Sequence, residues 1–219
     1  MSPERFEKLR NTLSRRQLDL TILTDQVHKP HNISAIIRSC DAVGVHRIHT
    51  VWNEAGFPTF HLTSGGSRKW VQVKPHPTIG EAVSELKGAG MRVLAAHPCP
   101  EAVDFRSIDF TQPSAILMGA ELDGVGPEAL ALADDYIVIP MMGLVRSLNV
   151  SVAAAIILFE AARQRREAGF YERRQMGEEE YTRTLFEWAY PELAEYCQRH
   201  ELPYPRLDED GELLDEIPH

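Results

Sequence analysis

The chain has 219 residues and a mass of 24.7 kDa, enough for one α/β domain with appendages or two small domains. With 43% apolar and 25% charged residues it has the balance of a globular protein, and its longest apolar run, Val152 to Phe159, has eight residues, far short of the roughly 18 a membrane span needs. The formal charge of −9 excludes a uniformly basic chain, and three widely spaced cysteines, Cys40, Cys99 and Cys197, argue against a disulfide scaffold or structural zinc and for a reducing cytoplasm.

The opening MSPERFEKLR is charged at nearly every other position and has no apolar stretch, so no secretory signal is expected. Residues 3–16 read as a charged helix, with Ser2 as cap and Pro3 at the first helical position. After it, apolar β-rich runs alternate with helical patterns. Strands are expected at 21–27, 47–52, 71–75, 92–97, 114–120 and 136–140, and helices at 33–43, 78–89, 127–133 and 149–168. Pro127 after Gly126 marks the start of the third of these helices. Residues 178–201 predict two short helices broken at Pro191, and the Pro- and acid-rich tail LPYPRLDEDGELLDEIPH is expected to be loosely ordered. The alternation predicts an α/β fold: a mostly parallel sheet with helices on both faces. The expected divisions are a basic N-terminal helix at 1–18, the α/β domain at 19–168, and a helical extension with acidic tail at 169–219.

Charge is unevenly divided. Residues 1–177 hold 20 Lys and Arg against 19 Asp and Glu, whereas residues 178–219 hold 3 against 13. Two segments of the near-neutral body, 1–16 and 163–174, each carry a net +3. Screening confines a charge to about 8–10 Å at physiological salt, so local basic patches matter more to a polyanion than the overall balance. The pair of patches tilts the reading toward a nucleic-acid partner.

In open parallel sheets, ligands bind beyond the carboxyl ends of the strands. That rule singles out five segments: 28–32 (HKPHN), 53–70, 98–100, 121–126 and 140–149 (PMMGLVRSLN). Asn32 opens a helix whose Ile33, Ile36 and Ile37 form an apolar stripe, and Arg38 on that helix presents a permanent charge and five donors to an anion. Glu121 stands where the 114–120 strand ends, followed by Gly124 and Gly126. Only two glycines of a dinucleotide fingerprint are present, at the fifth strand, which disfavours a nicotinamide dehydrogenase. Ser147 or Asn149 is placed to cap the next helix, which is apolar nearly all round for three turns and predicts cover by a second subunit, hence a homodimer. His28 and His31 have no third ligand nearby, so no metal is expected. Ser64 and Ser67 lack a nucleophile-elbow context. The aromatics of 57–70 beside Arg68 and Lys69 suit stacking on a base as well as they suit an ordinary connection.

Read in order, HKPHNISAIIRSCDAVGVH, ILMGAELDGVG and IPMMGLVRSLNVSVAAAIILFEA resemble the three motifs of SPOUT-class RNA methyltransferases. With the basic N-terminal helix, RQRREAGFY and LPYP, the chain is similar to bacterial TrmH-type tRNA (guanosine-18) 2′-O-methyltransferases over nearly its whole length. The resemblance implies a C-terminal trefoil knot, against the usual avoidance of knots. It also implies an obligate homodimer with each active site built from both subunits. S-adenosylmethionine would be held by backbone groups near Ala96, Gly119, Ile139 and Leu148. Asn32, Arg38, Glu121, Ser147 and Asn149 fall on the catalytic or structural motif positions, and Lys8, Arg16, Arg163, Arg165 and Arg173 on basic positions attributed to tRNA contact. A free guanidinium keeps its proton to above about pH 12, so Arg38 is expected to bind phosphate and stabilise a developing alkoxide rather than act as a plain base. The alternatives are a 2′-O-methyltransferase acting on ribosomal RNA or another tRNA position, and a non-catalytic RNA-binding dimer of the same fold.

Overall fold

The computed structural model describes residues 1–52, 69–120 and 124–215, which form two compact units. One comprises residues 17–169, and the other joins residues 1–16 to residues 170 onward. The N-terminal helix and the C-terminal extension, read separately in the sequence, thus fold together.

The first unit is a sheet of seven strands in the order β3-β2-β1-β6-β4-β7-β5. The strands are β1 (Leu20–Asp25), β2 (Arg47–Val51), β3 (Gln72–His76), β4 (Arg92–Ala96), β5 (Val103–Asp104), β6 (Ser114–Met118) and β7 (Asp135–Val138). Every pairing is parallel. Each strand therefore needs a crossover, and the crossovers supply the helices. Those of this unit are α2 (Pro30–Ala42), α3 (Ile79–Gly88), α4 (Pro127–Leu132) and α5 (Val150–Glu167).

Strand side chains alternate between faces. Leu23, Val93, Ala95, Ala115 and Leu117 pack with Ile79, Ala82, Val83 and Leu86 of α3 and Ala129 of α4. The alternate residues Ile22, Leu94 and Ile116 are equally buried on the face where α2 and α5 pack together and α5 meets β6. At the amino edge of the sheet, Arg165 from the last turns of α5 is 0% exposed. Its guanidinium donates to the carbonyls of Phe110 (2.8 Å), Asp19 (3.2 Å) and Gln112 (3.4 Å) and to the Gln17 side chain (3.0 Å), and pairs with the Asp19 carboxylate.

Two expectations of this unit change, and one face of α5 stays open. Strand β1 stops at Asp25 because Gln26 turns into the left-handed region with φ 54°. Helix α2 begins at Pro30 rather than 33, since proline at the first helical position has its φ already set; most of HKPHN is helix, not loop. Helix α5 is not enclosed on all sides within one chain: Val152, Ile156 and Phe159, spaced four and three apart, form an exposed stripe with Phe159 57% open.

The second unit holds α1 (Pro3–Ser14), α6 (Glu178–Ala189) and α7 (Pro191–Arg199). Phe6, Leu9 and Leu13 of α1 are buried, as are Leu185, Phe186 and Trp188 of α6 and Cys197 of α7. The acidic tail is ordered through residue 215, against expectation. Arg206 pairs with Asp215 at 2.8 Å, Tyr190 donates to the Gly211 carbonyl at 2.7 Å, and Tyr204 stacks on Phe186 with centroids 4.6 Å apart. Gly211, at φ 84°, lies so close to Phe6 that a Cβ there would come within 2.5 Å of the ring. Tertiary contacts override the local composition.

Candidate active site

Where β4, β6 and β7 end, their carboxyl edges open into a cavity of about 660 Å³, within the range of small-molecule sites. Ala96 ends β4 and His97 and Pro98 follow it, Met118 ends β6 and Gly119, Ala120 and Gly124 follow it, and Ile139, Pro140 and Met141 follow β7. Arg146, Ser147, Leu148 and Asn149 close it, with Ala153 and Ile157 of α5 beneath and Lys29 at its margin. The walls are mostly apolar and the polar groups few, the usual composition of a small-molecule pocket.

Two local features shape this edge. Gly119 is required by a close approach: a Cβ there would stand 2.1 Å from the backbone of Gly124. Ala120 and Gly124 exchange two backbone hydrogen bonds, of 2.9 and 3.0 Å, and Gly124 has φ 68°. By contrast, residues 141–148 take part in no backbone–backbone hydrogen bond among the described residues. Backbone N–H and C=O groups need partners, and among the described residues this segment, of which Met141, Arg146, Ser147 and Leu148 line the cavity, leaves them without a backbone partner. Its Met142, Leu144 and Val145 side chains are exposed.

The residues implied to hold the cofactor, Ala96, Gly119, Ile139 and Leu148, all lie on the wall of this one cavity. Ser147 and Asn149 line it too. Asn149 is the N-cap of α5: its Oδ1 accepts from the Ser151 N–H (2.8 Å) and hydroxyl (2.6 Å). Its Nδ2 donates to Oδ1 of Asn32 at 3.1 Å. Asn32 is 1% exposed, in the first turn of α2. The two asparagines thus tie the end of the 139–149 segment to the start of α2. Arg38 is exposed on α2 and does not line the cavity of its own chain. Glu121, Ser64 and Ser67, and residues 57–68 of the aromatic loop, lie outside the described residues.

The strand-end rule points to the segments that hold Lys29 and Arg146 without singling those residues out, and His97, expected as the end of a strand, lines the cavity just beyond β4. His28 packs edge-on to Trp52, with centroids 5.1 Å apart. Elsewhere, His49, His76 and Glu85 form a cluster of metal-ligand types. There Nδ1 of His49 and Nε2 of His76 are hydrogen-bonded at 2.8 Å, and Glu85 pairs with Lys74. Burial, then the neighbouring His76, pushes His49 down to about 4.

The five basic positions separate into three kinds. Lys8 and Arg173 are exposed, both in the terminal unit. Arg163 is exposed but bridges Glu160 and Glu167 at 2.7 Å each. Arg16, 1% exposed, lies with its guanidinium 5.2 Å from the Trp188 ring centre, and Arg165 is enclosed as described above. Arg16 and Arg165 are thus enclosed by protein, unlike Lys8, Arg163 and Arg173.

Comparison with known proteins accords with this geometry. The family described as SpoU rRNA Methylase matches residues 19–159, and the SpoU rRNA methylase C-terminal family matches residues 163–216. A tRNA (guanosine(18)-2′-O)-methyltransferase of Escherichia coli K12 is 54% identical over 215 residues, covering 97% of this chain and 94% of that protein. The crystal structure of an Aquifex aeolicus TrmH/SpoU tRNA modifying enzyme superposes with a TM-score of 0.79 at 42% identity, covering 86% of this chain and 96% of the other. The SpoU methyltransferase AviRb of Streptomyces viridochromogenes, solved in complex with AdoMet, gives a TM-score of 0.63 at 31% identity over 70% of this chain and 64% of its own. No described helix is long and apolar enough to cross a membrane.

Proposed function

This chain belongs to the SpoU rRNA methylase family, and from that premise we propose that it methylates a ribose 2′-hydroxyl of tRNA, at guanosine 18, using S-adenosylmethionine. The observation that carries the proposal is the strand-end cavity, bordered by a segment, 141–148, whose backbone groups make no backbone–backbone hydrogen bond among the described residues. Such a rim fits a cofactor held by main-chain hydrogen bonds. Apolar walls from Met118, Ile137, Leu148 and Ile157 suit its adenosine and exclude water. When bound, S-adenosylmethionine supplies an electrophilic methyl group.

The protein's task is then to bring a ribose hydroxyl into line and to stabilise the oxygen as negative charge develops on it. Arg38 has the planar fork for the adjacent phosphate and the permanent charge for the alkoxide. Because Arg38 faces outward from α2, we assign it to the cavity of a second subunit. The exposed stripe Val152, Ile156 and Phe159 on α5, the helix packed against α2, supports a homodimer on that side. Glu121 and Ser147 are proposed to orient the nucleotide. Lys8 and Arg173 are proposed to contact tRNA phosphates, with Arg163 contributing once it leaves its carboxylate partners.

The C-terminal knot is proposed on topology. Strands β4 and β6 lie between β7 and β1, yet the segment after β7 reaches Asn32 at the start of α2. A cytoplasmic location follows from a tRNA substrate and free cysteines.

The test is to incubate the protein with labelled S-adenosylmethionine and unmodified tRNA transcript, then map the methylated ribose by nuclease digestion and mass spectrometry. The proposal expects 2′-O-methylguanosine at position 18 and no transfer to a transcript carrying 2′-deoxyguanosine there. Transfer only to ribosomal RNA would move the substrate and keep the chemistry. Cofactor binding without transfer to any RNA would favour a non-catalytic RNA-binding dimer.

A further inference from the structure

Away from the cavity, three side chains of metal-ligand type converge at the β3 edge of the sheet, and the methyl-transfer reading gives them no task. His49 lies in the middle of β2, and His76 ends β3. In the parallel register His49 stands beside Lys74 and Val51 beside His76, and alternate residues of a strand share a face. That face is the one α3 covers, since Val51 packs with Ile79, Ala82, Val83 and Leu86. Both imidazoles are buried there, their rings 16° from parallel with centroids 5.1 Å apart. Nδ1 of His49 and Nε2 of His76 face one another at 2.8 Å. A carboxylate oxygen of Glu85, on α3, lies within 4.8 Å of both.

Two facing imidazole nitrogens share one proton, so one donates and the other accepts. Moving that proton to the other nitrogen of its own ring leaves two lone pairs directed into one space, with a carboxylate beside them. Two imidazoles and a carboxylate are a donor set for zinc and its neighbours, whereas magnesium and calcium take oxygen ligands. Zinc–nitrogen bonds of about 2.0–2.1 Å at the tetrahedral angle set two nitrogens about 3.3 Å apart, so the rings need part by only about half an ångström. The Lys74 ammonium holds Glu85 at 2.5 Å, and therefore competes with a cation for that carboxylate. The side chains of Glu85 and Lys74 are 40% and 43% exposed, which leaves a path for an ion from solvent.

We propose that His49, His76 and Glu85 hold a divalent cation of the zinc class, with water in the fourth position, and that this ion clips β3 to β2 and α3. Strand β3 is an edge strand with a single ladder, so a cross-link there secures an element that has few other ties. Each ligand comes from a different element, and for that reason no spacing motif announces the site. The proposal goes beyond the methyltransferase reading and does not depend on it.

The experiment uses the full chain, stripped of metal by a chelator and dialysed, and titrates zinc chloride into it by calorimetry. One equivalent is expected to bind, and magnesium chloride at the same concentration is expected to give no binding. His76→Gln should weaken zinc affinity about 100-fold and Glu85→Gln about tenfold, whereas Lys74→Ala should tighten it several-fold. Imidazole nitrogen NMR should shift at Nδ1 of His49 and Nε2 of His76 when zinc is added. Zinc should also raise the unfolding temperature of the wild-type chain with concentration and leave that of His76→Gln unmoved. Glu85 and Lys74 are partly exposed, so their variants decide the question even where His76→Gln fails to fold. A wild-type chain that takes up no zinc would overturn the proposal. So would uptake that survives in both His76→Gln and Glu85→Gln, as at scattered surface histidines, or weaker uptake in Lys74→Ala. Equal binding of magnesium would overturn the class of cation.

Discussion

The two edges of the sheet use polar groups in opposite ways. At the amino edge, one fully enclosed arginine, Arg165, is satisfied by three carbonyls, a glutamine and a carboxylate from its own unit. At the carboxyl edge, residues 141–148 make no backbone–backbone hydrogen bond among the described residues, Gln26 is held in a strained conformation, and Gly119 tolerates no side chain. The amino edge is closed on itself. The carboxyl edge leaves its hydrogen-bonding capacity for a ligand, so a cation matters for stability at one end, and backbone shape matters for binding at the other.

Substitution at the closed edge should give the largest effect. Arg165→Met strands the Asp19 carboxylate and several carbonyls, and is expected to lower unfolding free energy by about 3 kcal/mol. Chemical denaturation measures this, and cofactor affinity of the folded fraction should be unchanged. If Arg165→Met instead weakened tRNA binding at full stability, the two edges would not be separable in this way. At the open edge the converse is expected. Gly119→Ala drives a methyl group into the Gly124 backbone, and a displacement near 1 Å costs activity on the order of 100-fold, with a smaller loss of stability.

A third effect lies in neither edge. His49 is buried beside His76 and titrates near 4 when folded, against 6.5 when unfolded. Between those values the unfolded chain binds more protons, so this contribution is complete above pH 6.5 and is lost as pH falls toward about 4. The sum is roughly 2–3 kcal/mol. Denaturation midpoints at pH 7.5, 5.5 and 4.5 should show the decline, and His49→Gln should flatten it.

The smallest effects concern surface cations. Lys8→Ala and Arg173→Ala should each weaken tRNA binding and reduce its logarithmic salt dependence by about one phosphate contact. Arg163→Ala, already bridged to two carboxylates, should change binding less than either. Equal losses at Arg163 and Lys8 would show that the bridges open on RNA binding.

Most of the architecture was legible in the sequence because the buried strands and amphipathic helices announce themselves by period and by flanking Gly and Pro. Segments 92–97 and 114–120 are apolar runs that end within two residues of β4 and β6. Two-residue β5 carries no period at all, and the strand-end rule reads HKPHN as loop although Pro30 starts α2. The order of the tail could not be read, since it depends on Gly211 meeting Phe6, about 200 residues away. At the site, the strand-end rule found the segments, and the family motifs found Gly119, Ser147 and Asn149. What neither gave was exposure. Composition makes Arg16, Arg163, Arg165 and Arg173 equal members of basic patches, and burial separates them.

The central claim is that the carboxyl edge binds S-adenosylmethionine through its unpartnered backbone. It is tested most directly by titrating S-adenosylmethionine into the isotopically labelled protein while following backbone amides by NMR or hydrogen exchange. The account predicts shifts and protection at Gly119, Ala120 and residues 141–148, with Gln17, Asp19, Phe110 and Arg165 unmoved. Binding that protects amides elsewhere and leaves 141–148 exchanging freely would contradict it.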